Sequence, residues 1–336
     1  MKSKNNNEYL KSMDKNLLRY SVAIRTLGKS GIAYETLIRC LKSQTIPPQK
    51  IVVYLAEGYD YPVKVDDEII VYSKKGMAHQ RALRYEEIDT ELVLLCDDDV
   101  YFAENSVEKL LKALVEHNAD CISANVFPNH NMRLRMKVLK AVFYGEFPSF
   151  GQRFAFRIRK SSNYSYCNSP SEVMESQSCA GPCMLIKKSV NNILSYEDEL
   201  WMDQFPYTSG QDQIFAYKLY RYGYKLCIHY NSDVIHLDAK TGHIKDEELA
   251  DFNKRKIRYI EWYRSIYEPS KNNLQRNLAV GAFYFYWLWL FGLSIFSFVI
   301  GRNKYKMKNS LYALSSARQY VKSNEYSSIP KWDVVR

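Results

Sequence analysis

Along the first two thirds of the chain, short apolar runs bounded by turn residues alternate with amphipathic stretches. Residues 20–26 (YSVAIRT) form a β-prone run that the turn GKSG at 28–31 breaks, and a helical stretch follows at 32–43. Ile46-Pro47-Pro48 stops that helix. Residues 50–56 read as a second strand ending at Glu57-Gly58, and residues 68–72 as a third. Gly76 opens a helix to residue 87. Residues 91–96 (ELVLLC) are apolar almost without alternation, the pattern of a strand buried on both faces of a parallel sheet. A helix at 103–117 and a strand at 120–125 complete the repeat. Strands alternating with helices predict an α/β fold with a doubly wound, mostly parallel sheet, whose ligands sit at the carboxyl ends of the strands.

From 126 to 178 the regularity fades into basic pieces and a Ser/Asn/Tyr-rich passage, which reads as a mobile insert over the cleft. Order returns with a strand at 183–186, a helix at 210–222 and strands at 224–228 and 232–235. The chain thus divides into a polar tail (1–18), a folded domain (19–240), a charged helical linker (241–277), an apolar segment (278–301) and a basic tail (302–336). Residues 278–300 carry no charge, and as a helix they would reach about 35 Å against a hydrocarbon core of roughly 30 Å. Tyr and Trp crowd the first half and Arg302, Lys304, Lys306 and Lys308 follow, as at a membrane interface. Arg258, Arg264, Lys271 and Arg276 precede the run. Charge therefore leaves two arrangements open, a single span, which is the favoured expectation, or a re-entrant or interfacial hairpin bending near Gly292.

The 336 residues are 46% hydrophobic, enough for a large core, and the net charge of +10 favours anionic partners. Zinc-finger spacings, RNA-binding signatures and repeats are missing, so nucleic acid is not an expected partner. The seven cysteines (40, 96, 121, 167, 179, 183 and 227) are scattered and mostly set in apolar runs, as buried thiols of a reducing compartment are. The polar N-terminus has no apolar signal region. The expected location is membrane-associated, with the folded domain in the cytoplasm.

Candidate chemistry begins at Asp97-Asp98-Asp99, directly after the buried run at 91–96. Three adjacent carboxylates repel one another, and a hard divalent cation such as Mg²⁺ or Mn²⁺ relieves that repulsion while bridging to substrate phosphates. Downstream lie Ser178-Cys179-Ala180-Gly181-Pro182, then Gly210-Gln211-Asp212-Gln213 opening a helix after Trp201 and Pro206, and His236 after a late strand.

In this order the motifs resemble those of the inverting family-2 glycosyltransferases of the GT-A fold, from about Ser21 to Leu237. The resemblance implies that Ile24-Arg25-Thr26 cradles the nucleotide base, with Thr26 in the donor site, and that Glu57 meets the base or ribose. It implies that Arg81 contacts the diphosphate, that Asp97 and Asp98 bind donor, and that Asp99 and His236, with Asp97, hold a divalent metal. Ala180, Gly181, Trp201 and Gln211 would face the acceptor, Gln211 standing where Glu is common. Asp212 would be the catalytic base.

The mechanism so implied is a single displacement with inversion, moving a sugar from a nucleotide-sugar donor to a lipid-linked or glycan acceptor, in cell-surface polysaccharide biosynthesis. Two alternatives remain. A sugar nucleotidyltransferase shares the metal and the sheet but carries a longer Gly-rich phosphate loop that GKSG does not match. A catalytically decayed, membrane-bound scaffold would bind nucleotide without reacting.

Overall fold

The structure is a computed structural model that describes residues 19–126, 134–144, 153–167, 171–207, 210–239 and 244–335. The tail expected at 1–18 and, within the expected insert, residues 127–133, 145–152 and 168–170 lie outside the described residues.

The apolar runs become β1 (Tyr20–Thr26), β2 (Ile51–Ala56), β3 (Ile69–Ser73) and β4 (Leu92–Asp97), with α1 (Ile32–Lys42) and the short α2 (Met77–Arg81) between them. Next come β5 (Val100–Phe102), α3 (Ser106–Glu116) and β6 (Cys121–Ala124), then α4 (Leu134–Tyr144) and the small strands β7 (Phe156–Ile158), β8 (Tyr164–Tyr166) and β9 (Val173–Ser176). After β10 (Cys183–Lys187), α5 (Lys188–Ile193) and a 3₁₀ segment at Tyr196–Gln204 lead to α6 (Gln211–Arg221), β11 (Leu226–His229) and β12 (Val234–His236).

The central eight-stranded sheet has the order β3-β2-β1-β4-β10-β6-β11-β9. Neighbours among β3, β2, β1 and β4 are parallel, as are β6 and β11; β10 runs antiparallel to both β4 and β6, and β9 is antiparallel to β11. Along β4 the period-two rule sends Leu92, Leu94 and Cys96 into one core, with α1 and α3, and Val93 and Leu95 into the other. Both faces are covered, which is why this strand shows no polar alternation.

The second core also takes in the C-terminal elements, α7 (Glu247–Trp262), the π-helical turn Tyr263–Tyr267, α8 (Asn273–Val299), α9 (Tyr305–Tyr320) and α10 (Asn324–Ser327). Trp262 and Phe283 stack at 4.4 Å, and Trp287, Tyr320 and Trp332 join the same cluster. The segment expected as a basic tail folds back against α7 and α8. α8 is long and apolar enough to cross a membrane by length and composition. It continues unbroken through Gly292, so the hairpin considered there does not form.

The helix expected to reach residue 87 ends at Arg81. Tyr85 adopts φ 52°, and its ring is buried edge-on against Tyr54, 5.3 Å between centroids. A continued helix would lose that conformation and with it the burial. The inner strand β10 is antiparallel within an otherwise parallel stretch, which apolar patterning alone does not encode.

One buried carboxylate joins the C-terminal part to the sheet domain. Glu199, fully buried, accepts from Arg264 Nε at 2.7 Å, Trp201 Nε1 at 3.0 Å and Trp332 Nε1 at 2.8 Å, with Lys218 Nζ at 3.2 Å. Burial alone would raise its carboxyl, but the Arg264 and Lys218 charges outweigh that and hold it well below the usual range, at about 2. Glu199→Ala is expected to strand the buried Arg264 charge and lower unfolding free energy by about 3–5 kcal/mol, measured by denaturant unfolding with Trp fluorescence. Wild-type stability in this variant would remove the proposed joint.

Candidate functional site

The carboxyl ends of β1 and β4 are neighbours, and the parallel register sets Arg25 opposite Asp97. Arg25 Nη2 donates to Asp97 Oδ1 at 3.0 Å and to the Gly181 carbonyl at 3.2 Å. One residue on, the Thr26 hydroxyl donates to Asp98 Oδ2 and accepts from the Gly28 N–H at 2.7 Å. Gly28 is required here, since its φ is +70° and a Cβ would meet the Asp60 carbonyl at 2.3 Å.

β5 begins immediately after the acidic triplet and pairs antiparallel with β12, in a register that sets His236 opposite Val100. This pairing brings His236 Nε2 to 3.1 Å from Asp99 Oδ1, while Asp99 Oδ2 accepts from the Ala239 N–H at 2.9 Å. Partial burial works to raise the Asp99 carboxyl, but the hydrogen bonds from His236 and Ala239 outweigh it and hold it below the ordinary carboxylate range. The same bond raises His236. The two residues fit a divalent cation whose other ligands come from substrate phosphate and water, the usual arrangement for Mg²⁺ and related hard ions. Three or more such ligands do not cluster anywhere among the described residues.

The third wall is the start of α6. Gly210, with φ 107°, precedes the helix, and Asp212 lies in its first turn. Its carboxylate pairs with the Arg81 guanidinium at the end of α2 and rests on Gly181, where a Cβ would come within 2.2 Å of Asp212 Cγ. The loop bearing Gly181 is tied to the triplet by a hydrogen bond from the Asp97 N–H to the Pro182 carbonyl, 3.2 Å. A small cavity lined by Arg25, Arg81, Leu95, Cys179, Gly181 and Asp212 closes the arrangement. Burial raises the Asp97 carboxyl, Arg25 and Arg81 oppose the rise, and Asp212 and Asp99 both add to it. Asp97 thus feels both carboxylates at one site.

Residues 49–191 match the model of the family described as Glycosyl transferase family 2. Over that stretch the chain is similar to glycosyl transferase family 2. Crystal structures of S. aureus TarS residues 1–349 share its fold. In complex with UDP-GlcNAc, TarS superposes with a TM-score of 0.51 at 13% identity, and without ligand with 0.50 at 15% identity. Each match covers 90% of this chain and 81% of TarS. The mannosyltransferase PcManGT from Pyrobaculum calidifontis, in complex with GDP-Man and Mn²⁺, superposes with a TM-score of 0.48 at 13% identity, covering 93% of this chain and 81% of the other. No curated protein sequence gives a significant match. The mixed sheet with its reversed inner strand is of the GT-A type.

The structure gathers Thr26, Arg81, Asp97, Asp98, Asp99, Gly181, Asp212 and His236 at one sheet edge. Arg81, expected on a diphosphate, is in an ion pair with Asp212. Ala180 lies in the loop beside Gly181, its carbonyl accepting from the Ser123 hydroxyl at 3.3 Å. Gln211 turns towards α2, with Nε2 3.2 Å from Met77 Sδ. Glu57 is exposed at the end of β2. Trp201, expected to face the acceptor, is 4% exposed and donates to Glu199, so its place is in the core.

Two residues at this edge went without an individual role in the sequence reading. One is Arg25; the other is Tyr59, whose ring lies 4.8 Å from Lys29 Nζ and 4.9 Å from Lys75 Nζ. The available signal was the pair Lys74-Lys75 following a strand. A further buried acid, Glu261 on α7, presses on the start of α6, and a Cβ on Gly210 would meet its Oε1 at 2.4 Å. That oxygen has no hydrogen-bond partner among the described residues, and burial, opposed only by Arg258, pushes the carboxyl up to about 7. Between its ordinary value of 4.5 and about 7 the folded protein holds a proton that the unfolded chain releases, so this group's stabilisation is lost as pH rises through that window. Glu261→Gln is expected to flatten the fall in Tm between pH 5 and 8 and to be more stable than wild type at pH 8. Parallel Tm–pH curves for the two proteins would contradict this.

Proposed function

We propose that the protein is a metal-dependent, inverting glycosyltransferase that moves a sugar from a nucleotide-sugar donor to a hydroxyl of a lipid-linked or glycan acceptor, in cell-surface polysaccharide assembly at the cytoplasmic face of a membrane. The observation carrying this reading is the placement of Asp212 against Gly181, whose carbonyl shares the Arg25 guanidinium with Asp97, while Asp99, two residues on, is paired with His236.

In the proposed reaction, Thr26, Asp98 and Glu57 hold the nucleoside, and Asp97, fixed by Arg25, orients the ribose and donor sugar. Asp99 and His236 would hold a Mg²⁺ or Mn²⁺ ion, which supplies Lewis-acid stabilisation of charge developing on the leaving diphosphate. Arg81 stands between the diphosphate position and Asp212. A bound diphosphate draws its guanidinium away, since Arg forms strong bidentate bonds to phosphate oxygens. The Asp212 carboxylate is then free to take the proton from the acceptor hydroxyl as that oxygen attacks the anomeric carbon from the opposite face. A single displacement of this kind inverts the centre and needs no nucleophilic side chain.

Asp212→Asn is expected to lower kcat by about 10²–10⁴-fold while donor affinity stays within a few-fold, measured by release of nucleoside diphosphate from a panel of nucleotide sugars. Pyrophosphate as the product would identify a nucleotidyltransferase, and a wild type with no turnover on any donor and acceptor would identify a scaffold.

A further inference from the structure

We propose that α8 does not cross the membrane but lies in the plane of one leaflet of an anionic bilayer, with one apolar stripe immersed and the other face held by protein. The inference concerns how the chain meets lipid and does not rest on the transfer reaction.

Burial along α8 is one-sided as far as Ser294, beyond which no residue of the helix is buried. Ala279, Phe283, Tyr286, Trp287 and Ser294 face the protein. Opposite them, at steps of three, four and seven residues, Leu278, Phe285, Leu288, Ile295 and Val299 are exposed, and none of the exposed positions from Leu278 to Ile300 is polar. This stripe runs for about 30 Å, at 1.5 Å per residue. A water-facing helix surface carries polar side chains; an unbroken apolar one marks a binding surface. α4 widens it, with Phe143 stacked 3.7 Å from Trp289 and Val138, Leu139 and Val142 exposed beside it.

The protein-facing side excludes a span. α9 runs back antiparallel along α8: Arg318 Nε donates to the Tyr284 hydroxyl at 3.0 Å, Trp287 Nε1 to the Ser310 carbonyl at 3.2 Å, and the Ser310 hydroxyl to that of Ser294 at 3.1 Å. Arg255 of α7, paired with Asp251, reaches both Ser294 at 3.2 Å and Ser310 at 2.8 Å. A crossing α8 would drag these charged partners, with Lys306 and Lys308, into hydrocarbon, where ionised groups are costly. In-plane seating leaves them on the protein side and wets only the apolar stripe with lipid.

Charge selects the lipid. Between Glu268 and Glu325 the chain has eight Lys and Arg residues and no acid. Lys271 is exposed before α8, and Arg302, Lys304 and Lys308 are exposed beyond its other end. Basic groups flanking an apolar stripe complement acidic headgroups.

The test mixes detergent-purified full-length protein with sealed vesicles of equal parts phosphatidylglycerol and phosphatidylcholine, followed by flotation. Wild type is expected to float, less so with phosphatidylcholine alone. Leu288→Glu combined with Phe296→Glu is expected to lower the bound fraction by about ten-fold or more, with circular dichroism in detergent unchanged. In the bound protein, cysteines introduced as Lys271→Cys and Lys304→Cys should both react with an impermeant maleimide added outside, above the background of the unmodified chain. Labelling of only one of the two would establish a span and overturn the proposal. So would flotation unaffected by the double variant, or a wild type that ignores vesicles and forms a dimer which the double variant abolishes.

Discussion

Four carboxyl groups, Asp97, Asp98, Asp99 and Asp212, converge on the carboxyl edge of the central sheet, and their mutual repulsion is the constraint around which the site is built. Two unit charges about 5 Å apart repel by roughly 3 kcal/mol at an effective dielectric of about 20. Each carboxyl is given its own partner: Arg25 for Asp97, Thr26 for Asp98, His236 for Asp99 and Arg81 for Asp212. The partners come from β1, β12 and α2, so every carboxyl finds its partner only when the whole edge is assembled. Three of those carboxyls serve a donor and a cation in the proposed reaction, and the Arg81–Asp212 pair is the one that reaction would rearrange.

The scaffold behind this edge depends heavily on the C-terminal helices. α7, α8 and α9 share a core with the second face of the sheet, and Glu199 gathers donors from α6, the π-helical turn and the C-terminal Trp332. Glu261 on α7 touches Gly210, the residue before the helix that carries Asp212. The C-terminal helices and the edge that carries the candidate site are therefore packed as one unit, and the burial of one side of α8 is a consequence of the same packing.

Much of this was legible in the sequence, and the misses have physical reasons. The strands β1, β2, β4 and β6 appear as apolar runs because both sheet faces are covered, and the triplet stands out because three acids come directly after the most apolar of them. The direction of β10 was not legible, since CMLIK is apolar whichever way it runs. The early end of α2 reflects a long-range demand, the burial of Tyr85 against Tyr54, that local propensity does not contain. Trp201 illustrates the reverse error, an aromatic near a motif that belongs to the core through Glu199. Arg25 was hidden because a charged residue inside a strand becomes meaningful only when the register sets it beside Asp97.

The central claim is that Asp99 and His236 together hold a divalent cation beside the donor diphosphate. Pulsed electron paramagnetic resonance of Mn²⁺ added with UDP, GDP or dTDP in turn tests it at the atoms concerned. The account predicts that one of these nucleotides gives a bound Mn²⁺ with imidazole nitrogen coupling, that the coupling is missing in His236→Ala, and that binding itself is lost in Asp99→Ala. Nucleotide-dependent Mn²⁺ binding that shows no nitrogen coupling, or that survives Asp99→Ala unchanged, would contradict it.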